Sequence, residues 1–262
     1  MEKTEPKVNN DIYNTYGDRW YDADDDPVAL LRAESKTKTP WIIERIKNHG
    51  LLKSTTRVLD VGCGAGFLSN ELAKVGLQVT GVDLSEESLK VAAQHDQTCS
   101  VCYRTADAYQ LPFTDQSFDV VTAMDFLEHV EDPKAVIKEF SRVLKPNGLF
   151  IFHTFNRNVL AHLIIIKFVE WVVKNTPKHL HVIHLFIKPK ELASYCEQAG
   201  MSPKDMIGIK PVFSTIPLKN LFTGIVPKSL RFEFTQSLLL SYMGFAVKAS
   251  DSSLSPSLND LN

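Results

Sequence analysis

The sequence lacks a basic tract. Its 29 Lys and Arg stand against 31 Asp and Glu, a formal net charge of −2. A surface that neutralises many phosphates needs clustered cations, so extended nucleic-acid binding is disfavoured. Cysteine is scarce, four in 262 residues, which is too few for a disulfide framework and suits a reducing compartment. No uninterrupted apolar run reaches the roughly 18 residues of a membrane span. The nearest, Leu160 to Val173, is broken by His162, Lys167 and Glu170. Met1 to Asn10 is polar, without the apolar centre of an export signal. These absences lead to the expectation of a cytoplasmic protein, soluble or peripheral at the inner face of a membrane.

What is present is ordinary globular composition, 44% apolar and 23% charged, in a length that suits one large domain. Residues 1–40 are polar and form an expected N-terminal lid segment, whose acidic run at Asp22, Asp24, Asp25 and Asp26 reads as a solvated loop. The main domain is expected over 41–249, beginning with a helix from Trp41 to Leu52. A frayed tail, rich in Ser, Asp, Asn and Pro, is expected over 250–262.

Within the domain, short apolar runs alternate with helical segments. Arg57 to Val61, Gln78 to Asp83, Phe118 to Ala123 and Leu149 to Thr154 read as strands. Phe67 to Val75, Glu86 to His95 and Pro133 to Leu144 read as helices, the last two capped by Ser85 and Asp132. Lys145 to Gly148 reads as a turn. That rhythm predicts an α/β fold with a doubly wound parallel sheet. It stops over 156–187, an expected insertion, and resumes with a helix at Pro189 to Ala199 and strands at Met206 to Phe213 and Leu238 to Val247.

The strongest chemical signal is Asp60-Val-Gly62-Cys-Gly64-Ala-Gly66, set between a strand and a helix. Glycines at alternate positions let backbone approach a ligand where a Cβ would collide, and the helix start offers free N–H groups. The spacing is G-x-G-x-G and not the dinucleotide G-x-G-x-x-G, and no Gly-Lys-Ser or Gly-Lys-Thr follows. Asp83 ends the next strand, where a carboxylate can take both hydroxyls of a ribose. These residues resemble the class I S-adenosylmethionine-dependent methyltransferases. The resemblance implies a Rossmann-like sheet of seven mostly parallel strands with an antiparallel C-terminal strand. It implies S-adenosylmethionine bound by Asp60, Gly62, Gly64, Gly66, Asp83 and Leu84, with Asp107 and Ala108 near the adenine. Met124 would lie over the cofactor or serve packing.

A second motif, Met124-Asp125-Phe-Leu-Glu128-His129, follows the fourth strand. On one helical turn, positions 125, 128 and 129 share a face and could ring a divalent cation. Without metal, His129 could be a general base. With His153-Thr-Phe-Asn-Arg-Asn158, Thr176-Pro177-Lys178 and Phe186-Ile-Lys-Pro189-Lys-Glu191-Leu192, the chain from about Arg19 to Val247 resembles the ubiquinone-biosynthesis O-methyltransferases. That family methylates catechol-type hydroxyls on polyprenylated rings. The likeness implies a lipophilic aromatic acceptor, Glu128 and His129 as catalytic residues, and Asp125, Glu128 and His129 as ligands of magnesium or zinc. Asp125 stands where the family usually has Glu, and Lys38 stands opposite its cofactor-touching Arg. His179-Leu-His181-Val182 replaces its Gly-Thr-His-Asp run, with His181 matching a family histidine.

Other readings stay open: a methyltransferase for another small lipophilic acceptor, or a non-catalytic cofactor-binding subunit of a membrane-associated biosynthetic complex. The apolar stretch of the insertion, with Trp171, Lys174 and Lys178, reads either as a helix at a membrane interface over 160–178 or as a lid buried on the sheet. Trp20 and Tyr21 are expected to pack the N-terminal lid over the site. Cys99 and Cys102 lack a second pair and carry no expected metal.

Overall fold

Alternating apolar residues give each central strand two buried faces. In the computed structural model, which describes residues 7–250, β1 (Arg57–Val61) sends Val58 to one side and Leu59 and Val61 to the other. The same alternation divides Val120 from Val121 in β4 (Phe118–Met124), and Leu149 and Ile151 from Phe150 and Phe152 in β5 (Leu144–Phe155). Burial on both faces is what a parallel sheet between helical layers requires. The remaining strands are β2 (Gln78–Asp83), β3 (Cys102–Thr105), β6 (Met201–Pro211), β7 (Phe232–Thr235) and β8 (Ser241–Lys248).

They form one sheet in the order β3-β2-β1-β4-β5-β8-β6-β7. The first five are mutually parallel, and β8 runs antiparallel to both β5 and β6. The α/β class and mixed sheet are as expected, but there are eight strands, not seven. The additional strand is β7, four residues on the outer edge of β6, too short to show a period of two. Lys145–Gly148 bulges within β5, where pairing jumps from Leu144 to Leu149, and Asn147 takes a positive φ of 61°.

One face is covered by α2 (Val28–Asn48) and α3 (Phe67–Lys74), through Trp41, Ile42, Ile46, Leu68 and Leu72. The other is covered by α5 (Pro133–Val143) and α8 (Pro189–Gln198), through Val136, Ile137, Phe140, Leu192 and Cys196. Ser85 caps α4 (Glu86–Gln94) by accepting from Ser88 N–H, and Asp132 caps α5 by accepting from Ala135 N–H. The N-terminal segment adds the single turn α1 (Arg19–Asp22). The insertion is helical: α6 (Val159–Ala161), a π-helical stretch His162–Phe168, and α7 (Val169–Val172). A last turn, α9 (Asn220–Thr223), lies between β6 and β7.

Two expectations change. α2 starts at Val28, thirteen residues before Trp41, and continues through Pro40, where the sequence reading ends the lid segment. Its first half buries Glu34 and Lys38, and a buried polar pair leaves no apolar stripe to read. The acidic run is not a solvated loop: Asp26 is buried on Arg19 at 2.7 Å, and Asp24 meets Arg32 at 3.3 Å. Of the expected tail, only Ser250 lies within the described residues.

Candidate active site

The carboxyl ends of β1 to β4 open onto a cavity of about 400 Å³. Lys38, Asp60, Gly62, Gly64, Asp83, Leu84, Asp107, Ala108, Met124, Asp125 and His129 all line it, so most of the residues singled out in the sequence meet in one place. Gly66 and Glu128 do not line it.

Gly62 has a φ of 66°, and a Cβ there would overlap the Phe126 ring, so only glycine fits the loop as built. Gly66 does different work from the one expected. It starts α3 at φ 78°, and a Cβ would overlap the Tyr103 hydroxyl and press on Ala92, so its lack of a side chain lets α3 seat against the sheet. Asp83 holds the loop through both oxygens, accepting from Gly64 N–H and Ser85 N–H at 2.9 Å each. Each oxygen keeps a second lone pair for a ligand hydroxyl. Asp60 is buried under the loop, accepts from Ser69 and Thr122 hydroxyls, and is pushed up to about 6 by burial. At the mouth, Leu84 is 70% exposed and Asp107 accepts from Tyr109 N–H. Met124 both lines the cavity and packs against the core.

The N-terminal segment lies across this loop as a lid. Trp20 covers Gly64, donates its indole N–H to Ser88 Oγ at 3.2 Å and is stacked by Tyr13. Tyr21 donates to Ala65 O at 2.9 Å and stacks on His95.

The expected set of Asp125, Glu128 and His129 is divided by the backbone. Asp125 takes a left-handed φ of 53°, and the turn that follows is a 3-10 helix over Leu127–His129, not an α-helical turn beginning at 125. Asp125 therefore faces inward, to Lys38 Nζ and to His153 Nδ1, which donates at 2.6 Å. Burial opposes its charge, but Lys38 and then His153 hold the carboxyl well below the usual carboxylate range. Lys38 in turn lies 3.3 Å from Glu34 and is raised by Asp125 and Glu34 against the effect of burial. Replacing Lys38 with Met would leave two carboxylates facing each other in the interior. Urea unfolding is expected to show a loss of about 3–5 kcal/mol, the usual cost of breaking a buried pair from one side.

Glu128 is fully buried and does not line the cavity, so the catalytic role expected for it has no direct contact with that space behind it. Its Oε2 accepts from Thr154 Oγ1 at 2.7 Å, and Oε1 has no partner. Burial, with Asp125 nearby, pushes it up to about 8. Ligand atoms of Glu128, His129 and His181 lie within 4.8 Å of one another; Asp125 belongs to a separate cluster with Glu34 and His153. Burial lowers His129 to about 4, and burial and His129 lower His181 to about 3, so both imidazoles are neutral at pH 7.

His129 is also oriented. Asn10 Oδ1 lies 3.0 Å from its Nδ1, and Asn10 Nδ2 donates to His129 O at 3.1 Å. With Nδ1–H donating to Asn10, Nε2 carries the lone pair, and Tyr13 Oη approaches it at 3.4 Å. Asn10, Tyr13, Glu34 and His153 were not legible as site residues. His153 had one signal, its place at the end of a central parallel strand.

Residues 59–152, from β1 through most of β5, match the family described as a methyltransferase domain. The ubiquinone biosynthesis O-methyltransferase of Bordetella avium is 39% identical over 204 residues, covering 76% of this chain and 82% of that protein. The chain belongs to the ubiquinone biosynthesis O-methyltransferase family. The protein of the same name from Pseudomonas fluorescens is 40% identical over 195 residues, 73% of this chain and 81% of its own length. The fold is shared with the magnesium protoporphyrin IX methyltransferase of Synechocystis PCC 6803, solved with bound SAH. That match has a TM-score of 0.58 at 18% identity, over 94% of this chain and 90% of that one. As a member of the ubiquinone biosynthesis O-methyltransferase family, the chain is an S-adenosylmethionine-dependent O-methyltransferase. The cofactor suits the glycine cradle and the carboxylate of Asp83 described above. Among the described residues, no helix is long and apolar enough to cross a membrane.

Proposed function

We propose that the enzyme methylates a catechol or phenol hydroxyl on a polyprenylated aromatic intermediate of ubiquinone biosynthesis. One observation supports this most: a neutral, oriented histidine, His129, lines the same cavity as the glycine loop and Asp83. Bound S-adenosylmethionine supplies an activated methyl group. Gly62, Gly64, Asp83, Leu84, Asp107, Ala108 and Met124 hold it, with Asp60 setting the loop from beneath and Lys38 charging the inner wall. The acceptor must lose a proton, and a phenol with a pKa near ~10 keeps it at neutral pH. Nε2 of His129 takes that proton, while Asn10 fixes Nδ1–H and stabilises the ring as it charges. Holding the acceptor in line adds the gain of proximity.

A divalent cation is the second reading, favoured by the orphaned Glu128 Oε1 beside two neutral imidazoles. That donor set of two nitrogens and one carboxylate suits zinc better than magnesium. Glu128, His129 and His181 would hold it, and the charge would favour the phenolate form of the acceptor. Asp125, taken up by Lys38 and His153, is not one of the ligands. Labelled-methyl transfer to prenylated catechols, with and without chelator, tests both readings. Chelator-insensitive turnover is the expected result for proton transfer by His129 alone. Loss on chelation with rescue by zinc selects the cation. No methylation of any prenylated catechol defeats the acceptor assignment.

A lipophilic acceptor has to be met where it resides, and we read 160–178 as a peripheral contact with a membrane. The insertion divides its apolar residues: Ala161 and Ile166 are buried with Phe155 and Phe186, while Leu160, Leu163 and Trp171 are exposed.

A further inference from the structure

Twelve large apolar residues are exposed among the described residues, and eight of them fall in two short segments. Val159, Leu160, Leu163 and Trp171 belong to the insertion. Phe213, Leu218, Phe222 and Ile225 belong to the connection between β6 and β7, a segment to which the sequence reading gave no role. Far apart in sequence, the two segments are neighbours in space. Lys174 N–H donates to Gly224 O at 3.1 Å, and Val173, Val226 and Leu230 share one buried cluster with Ala29 of α2. Each segment thus packs its inner side on the same support and turns its other side outward. Trp171 is 87% exposed, Phe222 84% and Leu218 71%, values that serve no folding purpose.

The two segments are predominantly basic. Residues 160–178 carry Lys167, Lys174 and Lys178 against Glu170, and residues 213–231 carry Lys219, Lys228 and Arg231 with no acid at all. The two segments thus carry six cations against one acid; Lys167 pairs with Glu170 at 3.0 Å and Lys228 lies 4.0 Å from Asp24 of the lid, which leaves Lys174, Lys178, Lys219 and Arg231 as the surplus of positive charge. A second copy of the chain would place like charges against like, whereas an anionic lipid surface offers both apolar depth and negative headgroups.

We infer that the 213–231 segment and the insertion form one composite foot that seats the enzyme on an anionic bilayer. The inference rests on the membrane reading of 160–178 and extends it to a second segment. From the insertion, buried contacts lead inward through Phe155 and Phe186 to His181 and then His129. The foot is therefore joined to the acceptor side of the cavity by packed rings.

The test is flotation of the full chain with phosphatidylcholine vesicles and with phosphatidylcholine vesicles containing phosphatidylglycerol. Wild type is expected to float with the second and weakly with the first. Leu218→Glu/Phe222→Glu is expected to lower partitioning about tenfold or more, since each apolar side chain loses its burial in lipid. Its melting temperature and its turnover of a short-chain, water-soluble catechol should match wild type. Lys219→Gln should weaken binding to the anionic vesicles by about fivefold. Should Leu218→Glu/Phe222→Glu float like wild type while Leu163→Glu/Trp171→Glu does not, the second segment has no part, and the inference falls while the reading of 160–178 stands. Wild type that floats with neither vesicle overturns both membrane statements, and turnover of the soluble catechol then still measures the methylation reading. Self-association of wild type, abolished in Leu218→Glu/Phe222→Glu and without vesicle binding, would assign the face to a second copy and overturn the inference.

Discussion

Replacing His129 with Ala is expected to lower kcat for methyl transfer to a catechol by about 10²–10⁴-fold, the usual contribution of a positioned acid or base. The imidazole is neutral because burial lowers it to about 4, so at pH 7 it is fully in the proton-accepting form. Asn10 removes the ambiguity between its nitrogens by accepting from Nδ1. S-adenosylmethionine affinity should remain within a few-fold, because Asp83 and the glycine loop are made by other strands. Single-turnover assays with labelled cofactor, paired with calorimetry, separate the two quantities. If His129→Ala transfers methyl to a catechol as fast as wild type, the residue has no role in the chemistry. His129→Gln should be as impaired as the Ala variant, since an amide can meet Asn10 but cannot take up a proton.

The second large effect is expected at Asp83. Asp83→Ala removes the acceptor proposed for two ribose hydroxyls and releases Gly64 and Ser85 from the contacts that fix the loop. Hydrogen bonds to a charged group contribute about 1.5–3 kcal/mol each, so cofactor affinity should fall roughly 10²-fold or more. Titration calorimetry with S-adenosylmethionine measures this directly, and an affinity within threefold of wild type would remove Asp83 from the cofactor site. Asp83→Asn should lie between, keeping one acceptor oxygen and the shape of the side chain but losing the charge.

Much of the fold was legible because the alternation of apolar residues in β1, β4 and β5 is clean and the caps at Ser85 and Asp132 are local signals. Pairing partners at an edge are not local. β7 has four residues and one neighbour, so the alternation in Phe-Glu-Phe-Thr is too short to set it apart from a loop. α2 hid its first half because it buries a Glu34–Lys38 pair, and charge normally marks a surface. At the site, the glycine loop, Asp83 and His129 could be placed from spacing. The partnership of Asp125 could not, because it depends on one left-handed residue that turns the side chain from Glu128 and His129 toward Lys38. Left-handed backbone is tolerated by Asp better than by most residues with a Cβ. His181 stands out in the sequence only through its match to a family histidine; its approach to Glu128 and His129 depends on the path of a long insertion, which no local pattern reveals.

The lid across Gly64 has a kinetic meaning. With the cofactor placed against the glycine loop as proposed, loosening the contacts of Trp20 with Ser88 and of Tyr21 with His95 and Ala65 is expected to shorten the residence time of the demethylated nucleoside, which stopped-flow release from Trp20→Ala would measure. Asn10, farther along the same strand of chain, is withdrawn from His129 by any wide opening. On the proposed mechanism, exchange of spent for fresh cofactor and the orientation of the base would then share one stretch of chain, residues 10–21.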